Sequence, residues 1–478
     1  MLRKYLKTIL FLPLFFNSIY YKPLLSQTKD NIDLLLNEEQ NKLFIDYSEI
    51  KNILLEKNPE LKSLKKLISS ASFNLASNIA KRYPTLNLQS MGLPKYVAGK
   101  NYNSNSPTTK TSQFSLNPTL NLRLDLINPL RGAEIKIAKN NYEIARNNYE
   151  IKMRDLVQEA KSRYHKFQKS HQEIKNKQLS LNLSKTSLKD ALSKFDAGIG
   201  TKFEVLEAEA QLSRDKQSLN TIKIEHKINK ISLKEILNIQ DDFGMDFEQK
   251  LIGFWNYKLN KNINNGLSNN LSLKNISLKK LIKQNQAENY LNANKPNIYI
   301  SNAFSSSFSK GDSLSTEIDS SESGSNYTNT ISLNIDWNIF DGGKNNNSYK
   351  SSKADSESED YSYNSLANSV KTKITKTYLN LNLNQERILS SLKEISSTNE
   401  SLRLARLRYD VGISTLKDVL VRQQELSNAK SKNIDAIYNY NLNLDELERL
   451  TFLEISNNCF KKESEAKNKH KSICDISQ

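Results

Sequence analysis

Glycine and proline are scarce in this chain, which has 13 glycines and 9 prolines among 478 residues. The segments 133–197, 201–243 and 344–411 contain neither residue. Because both residues interrupt helices, their absence permits helices of unusual length. Most of the glycines and prolines fall at 84–132 and 244–343, and this distribution divides the chain into two similar halves.

Long apolar runs are also missing. Hydrophobic residues make up 37% of the chain, and the mean hydropathy is −0.63. No stretch reaches the roughly 18 consecutive apolar residues of a membrane-spanning helix. Long helices with a narrow apolar seam account for such a composition. At the N-terminus, Arg3, Lys4 and Lys7 precede an apolar run over 9–19, which predicts a secretory signal peptide at 1–26.

Histidine and cysteine, two residues common in catalytic and metal sites, are few, with four and two copies. The four histidines are isolated in sequence, and no Gly-rich phosphate loop or nucleophile–base set is recognisable. We therefore expect no enzyme activity, no cofactor and no metal site. The two cysteines, Cys459 and Cys474, both lie in the polar C-terminal tail. The sequence leaves open whether they form a disulfide or remain thiols.

Acidic residues are fewer than basic ones, 52 against 69, so the formal net charge is +17. A basic surface suits nucleic acid or anionic lipid. Here the lysines are dispersed along the chain rather than clustered, and the export signal argues against a nucleic-acid partner. We interpret the charge as that of solvated helix faces.

One stretch occurs twice, as KFDAGIGTKFEVLEAEAQLS (194–213) and RYDVGISTLKDVLVRQQELS (408–427). In each copy a glycine can end a helix at positive φ, and a Thr with an acid three residues later has the form of a capping box. The two boxes are Thr201 with Glu204 and Thr415 with Asp418. Each copy therefore predicts the tight bend of an antiparallel coiled-coil hairpin. Its long arms are predicted over 133–195 and 344–409.

Between the hairpins the apolar period changes to two. Alternation over 114–126 and 331–339, with weaker signals after Pro84 and Pro296, predicts four strands per chain. The polar segments 90–113 and 305–329 are predicted as loops. A soluble sheet alternates in the same way, but the signal peptide favours membrane strands. Because four strands cannot close a barrel in lipid, several chains must share one.

These features resemble the outer membrane efflux protein family, the TolC-like channels. The resemblance covers about 45–455, and its most specific part is RYDVGISTLKDVLVRQQELSNAKSKNIDAIYNYNLNLDELERL (408–450). WNIFDGGK (337–344) and NPLRGAEI (128–135) are similar to the family's strand-to-helix passages. The resemblance implies an α+β membrane protein in the outer membrane. Three identical chains would share a β-barrel, four strands each, continued by an α-helical barrel in the periplasm.

The resemblance also implies partners and site residues. The partners are outer membrane lipid, a periplasmic adaptor and an inner-membrane pump of the resistance-nodulation-division or ABC type. Residues of the bends would dock the adaptor, and three others would form the periplasmic gate: Gly198, Ile199, Gly412 and Ile413 at the bends, and Tyr409, Asp418 and Glu204 at the gate. Two positions depart from the resemblance: Ser414 stands where the family can carry a basic residue, and Val421 replaces an acid of the entrance.

The expected organisation is a first repeat at 27–240, a linker at 241–270, a second repeat at 271–455 and a polar tail at 456–478. Each repeat contains a helix, two strands and a hairpin. An elongated coiled-coil scaffold without channel activity is the alternative that the sequence leaves open. Neither the cargo nor the class of pump follows from the sequence.

Overall fold

The computed structural model describes most of the chain, namely residues 43–90, 92–103, 106–313 and 321–457. The expected signal peptide and both cysteines lie outside these residues. The chain divides into two compact units. In the smaller, strands β1 (Leu43–Ile45) and β6 (Phe243–Met245) form a parallel pair.

The larger unit holds residues 46–240 and 246–457 and contains every other described element. Its helices are α1 (Ile50–Lys57), α2 (Pro59–Ala80), α3 (Arg131–Asp196), α4 (Lys202–Leu237), α5 (Leu259–Ser268), α6 (Leu271–Asn292), α7 (Lys344–Asp410) and α8 (Leu416–Thr451). Its strands are β2 (Thr85–Ser90), β3 (Lys95–Asn103), β4 (Ser106–Leu116), β5 (Pro118–Ile127), β7 (Asn297–Ser313) and β8 (Ser321–Asp336).

Two helical hairpins dominate the larger unit. Helix α3 has 66 residues and α7 has 67, and each turns back into a helix of 36 residues that packs against it. At 1.5 Å per residue, each long arm extends about 100 Å. The predicted hairpins are confirmed, and the ends of the long arms lie within two residues of the expected ones.

The seam between the helices is partly polar. In the first hairpin, Asp215 on α4 is buried, and its carboxylate accepts hydrogen bonds from the Ser184 hydroxyl and, at 3.1 Å, from Gln211 Nε2. Across the two hairpins, Gln423 Nε2 donates to the Ser187 hydroxyl at 2.8 Å. Buried polar groups that are paired in this way allow long helices to pack without a continuous apolar stripe.

The six strands of the larger unit form one antiparallel sheet. Strands β4 and β5 are separated by Asn117 alone, and both pair with β7. On their other side, β3 pairs with β4 and β2 pairs with β5, while β8 pairs with β7. The six strands therefore lie in four rows, with β2 and β3 at one edge and β8 at the other.

The prediction of loops at 90–113 and 305–329 is wrong for most of both segments. Strands β3 and β4 occupy much of the first segment, and β7 and β8 extend into the second, of which 314–320 lie outside the described residues. Serine, threonine and asparagine gave these segments a loop-like composition. Their backbone groups nevertheless pair across the sheet, from Ser305 opposite Thr328 to Asp312 opposite Ser321.

The pleat of the sheet separates apolar from polar side chains. Leu88 lies opposite Leu120, which lies opposite Phe304 on β7, and Ile300 lies opposite Leu333. Residues at opposed positions point to the same face. This apolar face is open, since the side chains of Leu88 and Leu333 are 73% and 66% exposed. The larger unit thus leaves a broad apolar sheet face uncovered.

The helical hairpin tips as candidate functional site

The first tip is a helix end followed at once by a helix start. Backbone N–H groups of Ile199 and Gly200 donate to the Lys194 carbonyl at 3.0 and 2.9 Å, which closes the last turn of α3. Gly198 has φ +73°, a left-handed conformation that favours glycine. Thr201 then begins α4 with the predicted capping box, whose acid is Glu204.

The second tip repeats this geometry. Gly412 has φ +80°, and the N–H groups of Ile413 and Ser414 donate to the Arg408 carbonyl at 2.9 and 3.2 Å. Thr415 begins α8 with a capping box that includes Asp418. Both capping boxes predicted from the sequence are confirmed.

One difference between the two tips affects the turn itself. Gly200 corresponds to Ser414, and a Cβ atom on Gly200 would lie 2.8 Å from the Phe195 backbone nitrogen. The first turn is therefore too tight for a side chain at this position. The second turn accommodates Ser414, whose hydroxyl donates to Asp418 at 2.7 Å.

The Gly–Ile pairs form the outer surface of the tips. Ile199 and Ile413 are 77% and 71% exposed. A Cβ on Gly198 or Gly412 would meet no atom within 4 Å, so the space beside both glycines is open among the described residues. Phe203 and Val411 are also exposed here, although neither was predicted as a site residue from the sequence. Their apolar character directly beside the bends was the available signal.

Tyr409 lies inside, between the two hairpins. It is 5% exposed and belongs to an apolar cluster with Ala191 and Val205 of the first hairpin and Leu416 of the second. Burial, followed by the nearby acid Glu204, raises the pKa of Tyr409 to about 12. The Tyr409 hydroxyl has no hydrogen-bond partner within the part of the chain described.

Lys194 joins the first tip to Tyr409. Its Nζ donates to the Tyr409 carbonyl oxygen at 2.6 Å and lies 3.6 Å from the centre of the Tyr409 ring. A lysine over an aromatic face makes a cation–π contact, and here the same ammonium also makes a charge-assisted hydrogen bond. Lys194 was not predicted from the sequence, because its partner lies 215 residues away in the chain.

Glu204 also connects the hairpins. One carboxylate oxygen accepts from the Thr201 backbone N–H at 3.4 Å, and the other accepts from the Leu416 N–H at 3.4 Å. The carboxylate therefore sits at the N-terminal ends of both α4 and α8, where the helix dipoles favour negative charge. The structure thus brings Glu204 to the same junction as Tyr409.

Asp418 makes its hydrogen bonds within the turn that starts α8. Its carboxylate accepts from the Ser414 hydroxyl at 2.7 Å, the Thr415 N–H at 3.3 Å and the Thr415 hydroxyl at 3.2 Å. The Ser414 bond, followed by those from Thr415, lowers the pKa of Asp418.

The histidines are less isolated than their spacing indicated. The rings of His171 on α3 and His226 on α4 lie 5.7 Å apart, because the hairpin brings distant residues opposite each other. His165 makes a 3.1 Å contact through Nε2 with the Asp445 carboxylate. Within 43–90, 92–103, 106–313 and 321–457, no group of three or more metal-ligating side chains is assembled. No helix in these ranges has the length and apolarity needed to cross a membrane.

Solved structures share this fold. The channel CusC has 14% identity and a TM-score of 0.72, over 86% of this chain and 93% of that one. The outer membrane protein VceC of Vibrio cholerae has 15% identity and a TM-score of 0.70, over 85% and 96%. The CmeC outer membrane channel of Campylobacter jejuni has 14% identity and a TM-score of 0.72, over 85% of each chain. No curated protein matches the chain.

A sheet with one open apolar face, joined to two long hairpins with Gly–Ile tips, has the fold of the TolC-like channels. A family model described as "Outer membrane efflux protein" matches residues 51–238 and 265–451, most of the chain. The chain belongs to the outer membrane efflux protein family. This is a family of channels rather than of enzymes, and the resemblance found in the sequence is confirmed.

Proposed function

We propose that three copies of this chain form a channel whose strands close one barrel in the outer membrane. The observation that carries this proposal is the open apolar face of the sheet. Strands at its two edges pair on one side only within the described residues. Lipid offers no hydrogen bonds to such edges, and the smallest membrane barrels have about eight strands. Four rows from each of three chains give about twelve strands, which satisfies both conditions.

In this proposal the two hairpins continue the barrel as a helical duct in the periplasm. The matched ranges 51–238 and 265–451 support an organisation as two repeats, at 27–240 and 271–455, joined by the linker 241–270. Each repeat contributes one hairpin, so the assembled duct would have six. Their tips lie at the end of the duct farthest from the membrane.

The tips are the proposed docking surface for a periplasmic adaptor, which connects the channel to an inner-membrane pump. Ile199 and Ile413 support this role, since they are exposed apolar side chains beside glycines that leave open space. A helical tip of a partner can approach such a surface closely. Co-purification of the pump would distinguish the resistance-nodulation-division type from the ABC type.

The junction of Tyr409 and Glu204 is the proposed gate. Both residues connect the first hairpin to the second, and an opening of the duct entrance requires the hairpins to move relative to each other. Asp418 supports the gate indirectly, because it holds the first turn of α8, where Leu416 contacts Glu204. Among the described contacts, Asp418 makes no direct bond to Tyr409.

Fractionation and crosslinking test the proposed function together. A photo-crosslinking residue at Ile413 should capture an adaptor in cells, whereas the same residue at Phe73, which is exposed on α2, should not. The protein should fractionate with the outer membrane as a trimer. A soluble elongated dimer without an adaptor crosslink would instead favour the coiled-coil scaffold.

A further inference from the structure

A cavity of about 420 Å³ lies at the other end of α8 from its tip. It is bounded by the turn at Tyr47, the N-terminal half of α3, the last turns of α8 and the residues that follow α8. The apolar part of its wall consists of half-buried side chains: Met153, Val157, Phe452 and Leu453. A volume of this size holds a small organic molecule.

The charged side chains of the cavity are unequally paired. Lys161 makes ion pairs with Asp445 at 3.2 Å and Glu448 at 2.8 Å. Arg449 pairs with the Asp155 carboxylate. These contacts occupy two of the cations in the wall and both of its inner acids. Glu454 is the remaining acid, and it is exposed at the rim.

Arg154 differs from these cations. Its guanidinium lies 3.9 Å from the centre of the Phe452 ring, and it makes no hydrogen bond or ion pair within the described residues. Burial lowers the pKa of Arg154, and the acids Glu150 and Glu448 only partly oppose this effect. A stacked guanidinium retains five N–H donors at its edges, which suit a planar or tetrahedral anion.

Lys51, on the first turn of α1, adds a second cation to the wall without a carboxylate partner among the described residues. The cavity thus combines an apolar wall with two unpaired positive groups. From this geometry we propose that the cavity is a binding site for a small amphipathic organic anion. The anionic head would bind the Arg154 guanidinium, and the apolar body would contact Met153 and Val157.

The anion would lie in a cavity lined by residues of α1, α3 and α8. Bound there, it would hold the first hairpin against the second at a point remote from the tips. The proposal does not depend on adaptor docking or on the assignment of the gate, since it rests on the cavity of a single chain. It makes a direct prediction about ligand binding by the purified protein.

The test is equilibrium dialysis of the full-length protein in detergent against 1-naphthalenesulfonate, with protein-free detergent as the blank. A neutral analogue, 1-naphthalenemethanol, separates the contribution of the anionic head from that of the apolar body. We expect saturable binding of the sulfonate with one site per chain. Binding of the neutral analogue should be at least about tenfold weaker, since it lacks the charge-assisted hydrogen bonds.

Two variants locate the site and one serves as the control. Arg154→Gln should weaken sulfonate binding at least about tenfold, and Val157→Trp should abolish it by filling the cavity. Arg146→Gln is the matched control, because Arg146 lies on the same helix over the Tyr142 ring but is paired with Glu143. It should bind the sulfonate as the unmodified protein does. Circular dichroism verifies that each variant is folded.

Three results would overturn the proposal. The first is a lack of saturable sulfonate binding by the unmodified protein. The second is equal binding of the sulfonate and the neutral analogue. The third is sulfonate binding that persists in both folded variants, Arg154→Gln and Val157→Trp, since the ligand would then lie elsewhere.

Discussion

The Lys194 ammonium contacts Tyr409 twice, at its carbonyl oxygen, 2.6 Å away, and at the centre of its ring, 3.6 Å away. Lys194 is in the last turn of α3 and Tyr409 is in the last turn of α7, so a single side chain connects the ends of the two long arms. The hairpin tips are therefore coupled within one chain.

Replacing Lys194 should loosen this coupling. We expect Lys194→Met to weaken the contact between the tips by about 1–3 kcal/mol, the range of a charged hydrogen bond with a cation–π contact. Conductance in planar bilayers should rise, and amide hydrogen exchange should accelerate near Leu416. Lys189→Met is the control, since Lys189 is exposed on the same helix and should behave like the unmodified protein. Unchanged conductance and exchange in Lys194→Met would exclude the coupling.

Tyr409 predicts a specific alkaline pH dependence. Its pKa is raised to about 12 in the folded protein, above the ordinary tyrosine value of about 10. Between these values the unfolded chain loses this proton while the folded chain keeps it, so stability falls as pH rises from 10 to 12. Thermal melts should show a smaller loss for Tyr409→Phe than for the unmodified protein, because the substitution removes this group.

The same variant tests the unpaired hydroxyl. At pH 7.5, Tyr409→Phe should be as stable as the unmodified protein or more stable by up to about 1 kcal/mol, because a buried hydroxyl without a partner is removed. Tyr409→Ala is the comparison and should be strongly destabilised at the tips, since the ring fills the cluster with Ala191 and Val205. A destabilised Tyr409→Phe would reveal a hydrogen bond that forms in the assembled channel.

The bends are largely predictable from sequence because their determinants are local. Gly198 and Gly412 each end a helix through their positive φ. Thr201 and Thr415 each start the next helix through a capping box. Contacts such as Lys194 with Tyr409, or His171 with His226, join residues far apart in the chain. Their pairing depends on the register of whole helices, which no local pattern specifies.

The strands could be predicted from the sequence only where apolar residues alternate with polar ones. Alternation predicted the apolar parts of the sheet, such as Leu120 to Leu126 and Ile331 to Ile335, and these segments are strands. The outer parts of β7 and β8 are rich in serine and carry no alternation. They are strands because each backbone pairs with the other along its length, which becomes apparent only when the partner is known.

Substitution of the tip glycine separates folding from docking. Gly412→Ala should destabilise the turn by roughly 1 kcal/mol, because its φ of +80° is unfavourable for alanine. Gly132→Ala, in the first turn of α3, is the control without positive φ and should not be destabilised. Hydrogen exchange of the turn amides measures this difference.

A bulky residue at position 412 tests whether the adaptor docks at the tip. Gly412→Trp should fold and reach the outer membrane, because a side chain there projects into open space, but it should prevent close approach of an adaptor. Efflux or secretion should fail, and crosslinking to the adaptor should decrease. Normal transport with the adaptor still bound would remove the docking role from the tips.

Asp418 should act through its own turn. Asp418→Ala removes the acceptor of three hydrogen bonds at the start of α8, so the amides of 415–419 should exchange faster and conductance should increase. Because the pKa of Asp418 is lowered, its contribution is complete above the ordinary value and is lost as pH falls through the lowered one. Asp418→Asn keeps an acceptor and should be intermediate. If Asp418→Ala changes neither exchange nor conductance, the capping role is excluded.

The central claim is that three chains share one barrel, with β8 of one chain pairing with β2 or β3 of the next. Cysteine crosslinking tests it most directly, with Cys459 and Cys474 replaced by serine and new cysteines placed at Asn87 on β2 and in turn at Thr330, Ser332 or Asn334 on β8. Oxidation in outer membranes should give a covalently closed species of three chains at one of these pairs, and neither single cysteine should give it. A chain that stays monomeric at every pair, or that closes its own two edges onto each other, would contradict the shared barrel.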